Sequence, residues 1–313
     1  MYSKRNFAKR IWAQLGVLIL GLLPLCVSAE TVLVVLSENS ASYEQVLKGI
    51  RATSTASLHT ISAEELEKSP QLTKHSYSLI VAIGTRATNI SLKHRQENTP
   101  VIATFIPHRA YNQLAQRHNI APDSGKTSAV FLDQPYTRQF NLFRIATPTA
   151  KTVGVALSNV SKDELPALTQ AANSVGLKLS HVFLDQGESP IDQLKKLFSH
   201  IDIFLALPDK TLFNRATAKW ILYSSLRKRA PILSFSKKYV DSGALLGVYS
   251  TPEQAGQHTG EIIEARRDNY LPLPPPHYTR YFNVATNPIA AKNMGIKLQP
   301  QSELQKKLEE LER

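Results

Sequence analysis

Short apolar runs alternate with amphipathic segments along most of the chain, and the pattern is clearest at 201–237. An apolar run, 203–207, precedes a polar turn and a stretch with helical apolar spacing, 212–226. A basic loop then leads to a second apolar run, 232–235. Because such alternation is typical of parallel βαβ units, we predict a strand, a helix and a second strand here.

The same arrangement occurs earlier, at 78–107, where strand-like runs at 79–83 and 101–106 flank a helical segment. The two copies lie about 120 residues apart, and the run TVLVVLSEN at 31–39 has a counterpart, TVGVALSN at 152–159, at the same offset. An internal repeat sets the architecture of a chain. Any two βαβ units look alike, which is the alternative explanation, but the common offset favours two similar α/β halves.

The pattern predicts the remaining elements as well. We expect further strands at about 31–36, 58–61, 128–132, 152–157, 177–184, 243–249 and 281–285, and helices at about 43–51, 109–118, 136–145, 163–175, 191–200, 252–267 and 288–294. The Pro-rich stretch 271–276 predicts a stiff, extended connector. The tail, 302–313, has alternating charge and a capping box of Ser302 and Gln305, which predicts a solvated helix.

Residues 1–29 have the layout of a secretory signal peptide. The first ten residues carry four basic side chains and no acid, and the apolar stretch 11–27 is too short and interrupted for a confident spanning helix. Val27-Ser28-Ala29 is a small-residue cleavage pattern, so we predict cleavage before Glu30 and a periplasmic protein.

Two alternatives for the N-terminus stay open. One is an uncleaved membrane anchor. The other is a lipoprotein acylated at Cys26, although such signals require small residues before the cysteine and here they are Pro24 and Leu25.

Cleavage would remove four basic residues and no acidic ones, which lowers the formal net charge from +12 to +8. It would also remove the single cysteine, so the mature chain would have neither a disulfide nor thiol chemistry. A basic surface can indicate nucleic-acid binding, but export argues against that partner. Anionic lipid, cell wall or an acidic partner fits better, and a merely solvated surface is the simplest reading.

No catalytic or metal-binding motif is complete. Ser124-Gly125-Lys126-Thr127 is similar to the end of a P-loop, but Ile120 stands where the motif needs glycine, and a strand is predicted to follow instead of a helix. No GxGxxG follows a strand, the nine histidines form no HExxH, and no GxSxG is present. The sequence therefore predicts no enzyme, no cofactor and no metal.

The candidate chemistry lies where predicted strands end, because open α/β sheets bind ligands beyond the carboxyl ends of their strands. The residues at these positions are Ser37, Glu38, Asn39, Ser40, Gly84, Thr85, Arg86, Thr104, Ser158, Asn159, Asp209, Thr211, Ser234 and Tyr249. Several precede helices, whose free N–H groups favour an anion, and Arg86 can add a bidentate contact. The alternative for each polar residue is a helix cap, which is the preferred reading of Asp209.

Three segments resemble one group of bacterial ABC-transporter substrate-binding proteins. The run YFNVATNPIAAKNMGI at 281–296 is similar to the strand, Asn, Ala-rich helix and Gly stop at the end of that group. The run DSGAL at 241–245, followed by Tyr249, resembles its Gly-Ala strand, and Gly256 and Gly260 resemble the glycines of the following helix.

The entry to the second half, from Phe143 to Val155 with Pro148 and Lys151, also resembles this group, and the likeness covers most of the mature chain. The resemblance implies an α/β protein of the type I periplasmic binding fold, with two Rossmann-like lobes joined by a hinge and a small ligand clamped between them. Some members bind aromatic amino acids. The strand-end residues above correspond to the cleft of that fold.

Pattern and resemblance together predict the division of the chain. An N-terminal lobe comprises 30–133 and 251–279, a C-terminal lobe comprises 134–250 and 280–300, and a charged helical tail follows at 301–313. Hinge bending is expected near 133–135, 250–252 and the segment before Tyr281.

One segment departs from the group. Its members commonly carry an Asp-Pro turn and a Pro-Gly segment between strands of the first lobe, where this chain reads IPHRAY at 106–111 and continues as a polar helix. This change alters the residues that form one wall of the cleft, so the identity of the ligand does not follow from the resemblance.

The leading hypothesis is a monomeric periplasmic solute-binding protein that delivers a small polar or anionic solute, an amino acid among the candidates, to an ABC permease in the inner membrane. The alternative is a periplasmic sensory or adaptor module that shares the fold and acts through protein contacts; the altered 107–126 segment and the charge motivate it. An enzyme is the third hypothesis.

Overall fold

The computed structural model describes residues 31–74, 77–121, 124–184, 189–209, 211–212, 215–269 and 271–312. They form two α/β lobes, each built on a six-stranded sheet with helices on both faces, which confirms the predicted fold class. The predicted signal peptide and Cys26 lie outside the described residues. Within the described ranges, no helix has the length and apolar character needed to cross a membrane.

The two sheets share one strand order. The strands are β1 (Thr31–Leu36), β2 (Ser57–Ser62), β3 (Leu79–Ile83), β4 (Val101–Ile106), β5 (Thr127–Phe131), β6 (Thr152–Leu157), β7 (Lys178–Phe183), β8 (Ile203–Leu205), β9 (Ile232–Ser234), β10 (Leu246–Tyr249), β11 (His277–Tyr278) and β12 (Asn283–Thr286). The first sheet has the order 2-1-3-4-5-11 and the second the order 7-6-8-9-10-12. All pairings are parallel except that of β10 with β12, so the repeat predicted from the sequence is visible in the topology.

The helices lie between and beside these strands. They are α1 (Ala41–Thr53), α2 (Ala63–Lys68), α3 (Thr85–His94), α4 (His108–Arg117), α5 (Tyr136–Ala146), α6 (Leu165–Ser174), α7 (Pro190–Phe198), α8 (Arg215–Lys228), α9 (Lys237–Asp241), α10 (Pro252–Asn269), α11 (Pro288–Met294) and α12 (Gln301–Leu311), with short 3-10 helices at Pro70–Lys74 and Lys162–Glu164. The start of α2 is capped, since the Ser62 hydroxyl accepts a hydrogen bond from the N–H of Glu65.

Helix α10 comes late in the chain but packs on the first lobe, directly against α1. Glycines permit this close approach, because a β-carbon at Gly256 would overlap the carbonyl oxygen of Val46 and one at Gly260 would overlap Thr53. Ile262 and Ile263 of α10 then join the apolar layer over β1 and β3. The family-like glycines therefore serve helix packing.

The chain passes between the lobes at three places, and a buried hydrogen-bond network ties the three together. The amide of Gln134, after β5, donates to the Ser250 hydroxyl at 2.8 Å, and this hydroxyl donates to the carbonyl of Tyr281. Arg138 donates both to Gln134 and to the carbonyl of Thr279. The three crossing segments are therefore joined to one another by hydrogen bonds.

The prediction of a solvated tail is wrong. Helix α12 packs against α5, and its Leu304 and Leu308 are fully buried in the core of the second lobe. The charged residues of α12 form an outer face, with Lys307 and Glu303 paired at 2.7 Å. The prediction rested on the alternating charges and overlooked Leu304 and Leu308, which form an apolar stripe at positions i and i+4. Such a stripe is sufficient to dock a short helix.

Candidate functional site

A cavity of about 540 Å³ lies between the lobes. The first lobe contributes Pro107, Arg109, Ala110, Gln113, Leu132 and Asp133, and the second contributes Val160, Pro208, Thr211, Phe235, Ser236, Tyr249 and Ser250. The volume is that of a pocket for a small molecule. The wall formed by 107–113 is the segment in which the sequence departs from the family.

A turn at the end of β4 brings α4 into the cavity wall. The register with β5 shifts between Thr104 and Ile106, and Phe105 between them has a φ of 53°. The carboxylate of Asp133 then accepts a hydrogen bond from the N–H of His108 at 2.8 Å, which fixes the first turn of α4. Arg109, the next residue, is thereby held in the cavity wall.

Asp133 occupies an environment that disfavours its charge. Burial raises the pKa of this carboxyl above its usual range, and the hydrogen bond from His108 only partly opposes the rise. A cationic group placed beside Asp133 would restore the ionised form.

A smaller recess of about 50 Å³ adjoins this end and is lined by residues of both lobes, among them Arg109, Asp133, Tyr136, Ser161, Glu164 and Asp209. The Tyr136 hydroxyl donates to Glu164 at 3.1 Å, and burial together with the charge of Glu164 raises the pKa of Tyr136. The guanidinium of Arg109 donates to the carbonyl of Val160 and so links the two lobes across the cleft.

Asp209 is the most constrained carboxylate of the site. It is buried, and one oxygen accepts hydrogen bonds from the hydroxyls of Ser158 and Ser161 at 2.6 and 2.7 Å. The other accepts from the N–H groups of Thr211 and Leu212. Burial alone would raise the pKa of Asp209, but these four donors hold it below the usual value. The ionised Asp209 therefore joins the loop at 158–161 to the turn at 209–212 beside the recess.

Of the residues predicted from the sequence, Asp209, Thr211 and Tyr249 line the cavity or its recess. Most of the other predicted residues serve the protein itself. Ser37 accepts from the N–H of Ala87 at the start of α3, and Ser40 caps α1. Ser158 is buried against Asp209, and Ser234 is buried in the turn before α9, where its hydroxyl bonds to the backbone of Ser236.

Two predicted contacts lie away from the cavity. Thr104 is fully buried and shares a 2.7 Å hydrogen bond with Thr259 of α10, so a ligand in the cleft does not reach it. The Arg86 guanidinium is on the surface, paired with Glu67 at 3.1 Å. The remaining predicted residues are Glu38, Asn39, Gly84, Thr85 and Asn159, and none of them lines the cavity or its recess.

Sequence reasoning missed Arg109, Asp133, Val160 and Phe235 as site residues. The available signal was the departure from the family pattern at 106–111, which marked the cleft wall without singling out Arg109. Within the part of the chain that the structure describes, no group of three or more histidine, cysteine, aspartate or glutamate side chains has the arrangement needed to hold a metal ion.

The two-lobed architecture has a counterpart among known protein families. A family model described as ABC transporter substrate binding protein matches residues 44–303. No curated protein matches the chain.

Solved structures share the fold. A ligand-free, open substrate-binding protein with adhesive properties from Clostridium difficile has 15% identity and a TM-score of 0.69, covering 88% of this chain and 97% of its own. An ABC domain in complex with L-Trp from Streptococcus pneumonia has 20% identity and a TM-score of 0.57, covering 88% of this chain and 98% of its own. A conserved domain protein from Vibrio cholerae has 15% identity and a TM-score of 0.57, covering 89% of this chain and 98% of its own.

Proposed function

This chain belongs to the family of ABC transporter substrate-binding proteins, and we propose that it is a periplasmic receptor that clamps a small solute between its lobes and delivers it to an inner-membrane permease. The observation that carries the proposal is the 540 Å³ cavity lined from both lobes. A ligand there would contact both walls at once, so binding would favour the closed arrangement. The proposal includes export by the N-terminal segment and action as a monomer, without nucleic acid.

The lining supports a solute with an apolar body and a charged head. Pro107, Ala110, Leu132, Phe235 and Tyr249 supply apolar surface over most of the cavity. Arg109 and Asp133 line both the cavity and the adjoining recess, and this shared end offers a binding site for the head group.

The charge at that end supports an ammonium group in the ligand. Asp133 and Glu164 present carboxylates, and Arg109 presents the one guanidinium of the recess. Three N–H groups at the site already have carboxylate partners: that of His108 at the start of α4 bonds Asp133, and those of Thr211 and Leu212 bond Asp209. An amino acid with an apolar side chain satisfies this set, with its ammonium toward the carboxylates and its carboxylate toward Arg109.

A thermal-shift screen of the mature chain from Glu30 tests the proposal. The panel contains apolar amino acids, the amines that lack their carboxylates, the acids that lack their amines, and simple sugars. A ligand that binds the folded state alone adds about 2.7 kcal/mol of stability at a hundredfold excess over its dissociation constant. We expect the largest shifts from amino acids, smaller shifts from the amines and none from the acids.

Variants locate the binding. Asp133→Asn and Arg109→Met are expected to weaken the best ligand at least tenfold, whereas Arg86→Met, which alters a surface pair outside the cavity, leaves binding unchanged. Small-angle scattering should show compaction on saturation. A flat screen on folded protein, or binding that ignores the two cavity variants, would reject the proposal and favour the adaptor hypothesis.

A further inference from the structure

The outward side of α8 exposes three large hydrophobic side chains, which we call the α8 face. Trp220, Tyr223 and Leu226 are 38%, 51% and 49% exposed, and they account for three of the seven exposed large hydrophobic residues in the described ranges. Their spacing of three residues places them on one side of the helix. A surface helix normally carries polar residues on this side.

The opposite side of α8 already serves the lobe core. Ile221 is 2% exposed within the apolar layer between α8 and the second sheet. The outer rings are also held in place: Trp220 and Tyr223 meet edge to face at 5.7 Å, and Arg227 donates to the Tyr223 hydroxyl at 2.9 Å. The α8 face is therefore an ordered apolar surface.

Positive charge surrounds the α8 face. A groove of about 310 Å³ between α7 and α8 is lined by Lys195, Phe198, Trp220, Tyr223, Ser224, Arg227 and Lys228, with no acidic residue among them. The sequence of α8 adds Lys219 and contains no acid at all. Asp192 of α7 is paired with Lys195 at 3.0 Å, and this pair is exposed.

We propose that the α8 face docks on an anionic phospholipid surface. Trp and Tyr rings favour the headgroup level of a bilayer, where one edge is apolar and the other is hydrated. Lysine and arginine beside them attract the negative surface of an anionic leaflet. The two rings, the aliphatic side chain and the cations all lie on one outward helix, and this combination of groups fits an anionic bilayer surface better than it fits a soluble acidic protein.

The consequence is a receptor that stays at the membrane between encounters with its permease. Search along a surface replaces search through the whole compartment. The docking itself is independent of the solute that the cleft takes, whereas the surface search for a permease rests on the proposed function.

Intrinsic fluorescence gives a direct test. Trp12 lies in the predicted signal peptide, so Trp220 is the sole tryptophan of the mature chain and reports on the α8 face alone. We expect its emission to shift to shorter wavelength with vesicles of equal parts phosphatidylglycerol and phosphatidylcholine. No shift is expected with phosphatidylcholine alone or with inorganic phosphate, and added salt should reverse the shift.

A pair of matched triple variants separates the α8 face from net charge. Lys219→Gln with Arg227→Gln and Lys228→Gln removes three cations at the face, and Lys48→Gln with Lys68→Gln and Lys126→Gln removes three on the first lobe. In co-sedimentation with the anionic vesicles, the first variant should lose at least tenfold in binding and the second less than twofold. Absence of vesicle binding, equal losses in both variants, or binding to acidic polypeptide instead of vesicles would overturn the proposal.

Discussion

The guanidinium of Arg138 and the carboxylate of Glu312 form an ion pair with 2.7 Å between Nη2 and Oε2, although 174 positions separate them in the chain. Arg138 is buried, and its guanidinium also lies 4.4 Å from the ring centre of Phe282. The pair joins α5, next to a crossing between the lobes, to the last turn of the chain.

Replacing Glu312 by Gln should therefore destabilise the protein. The change leaves the Arg138 charge buried without its counter-ion, and we expect a loss of about 2–4 kcal/mol in the free energy of unfolding. Glu303→Gln on the same helix breaks the exposed pair with Lys307 and should cost less than about 0.5 kcal/mol. Urea unfolding curves measure both, and equal effects would contradict the buried-pair account.

Gly256→Ala should destabilise the first lobe, against the usual trend. In an exposed helix, this change stabilises by up to about 1 kcal/mol, because Ala has the higher helix propensity. Here the added methyl group meets the backbone of Val46, which cannot move aside as a flexible side chain would. We expect a loss of about 3 kcal/mol or more.

The control for this prediction is Glu253→Ala on the same helix, whose ion pair with Lys48 is exposed. It should change stability by less than about 1 kcal/mol. A Gly256→Ala variant as stable as the parent would show that α1 and α10 have room to separate.

Acid should destabilise the protein through His258. Burial, with His277 and Arg280 nearby, lowers the pKa of this ring to about 4, whereas an unfolded histidine has a pKa of about 6.5. Between pH 4 and pH 6.5, the unfolded chain binds a proton at His258 that the folded chain does not bind. The stability contribution is therefore complete above pH 6.5 and is lost as the pH falls toward 4, by roughly 3 kcal/mol in all.

The measurement compares urea unfolding at pH 7 and pH 4.5 for the parent, His258→Gln and His181→Gln, the last being an exposed histidine. We expect the pH effect to shrink by roughly half or more in His258→Gln and to persist in His181→Gln. The same pH effect in all three proteins would assign the acid sensitivity to other groups.

Asp209→Asn should weaken both the fold and the site. An amide has one acceptor oxygen in place of two, so the Ser158 and Ser161 hydroxyls or the N–H groups of the next turn lose their partner. We expect a cost of about 1–3 kcal/mol, measured by chemical unfolding at pH 7. Because the pKa of Asp209 is held below its usual value, this difference should be complete above the pKa of an unfolded aspartate, about 4, and should decline as the pH falls further.

Asp241→Asn is the matched control, since Asp241 pairs with Lys237 on the surface. Its effect should stay within about 0.5 kcal/mol. If the two variants lose the same free energy of unfolding, the four hydrogen bonds to Asp209 make no specific contribution to stability.

The strands of the sheets were predictable from the sequence because buried parallel strands consist of continuous apolar runs. All five residues of β3, LIVAI, are buried, and helical spacing follows directly. The repeat also implies that the two sheets share one strand order, as they do. The positions of strands and helices depend on the local pattern of apolar and polar residues, which can be read directly from the sequence.

The cavity was less predictable because it depends on which distant elements meet. Thr104 ends a strand and reads as a cleft residue, yet Thr259, 155 positions later, covers it. Arg109 begins an ordinary polar helix, and only the meeting of two lobes turns it toward Val160. No spacing rule carries that information.

The late positions of α10 and α12 in the sequence determine when the two lobes can be completed during synthesis. The first lobe needs α10 and β11, and the second needs β12 and the buried leucines of α12, all of which lie in the last quarter of the sequence. A chain that emerges from the ribosome with its N-terminus first completes neither lobe until that last quarter has appeared. Both lobes therefore share one condition for a complete core, the presence of the last quarter of the sequence.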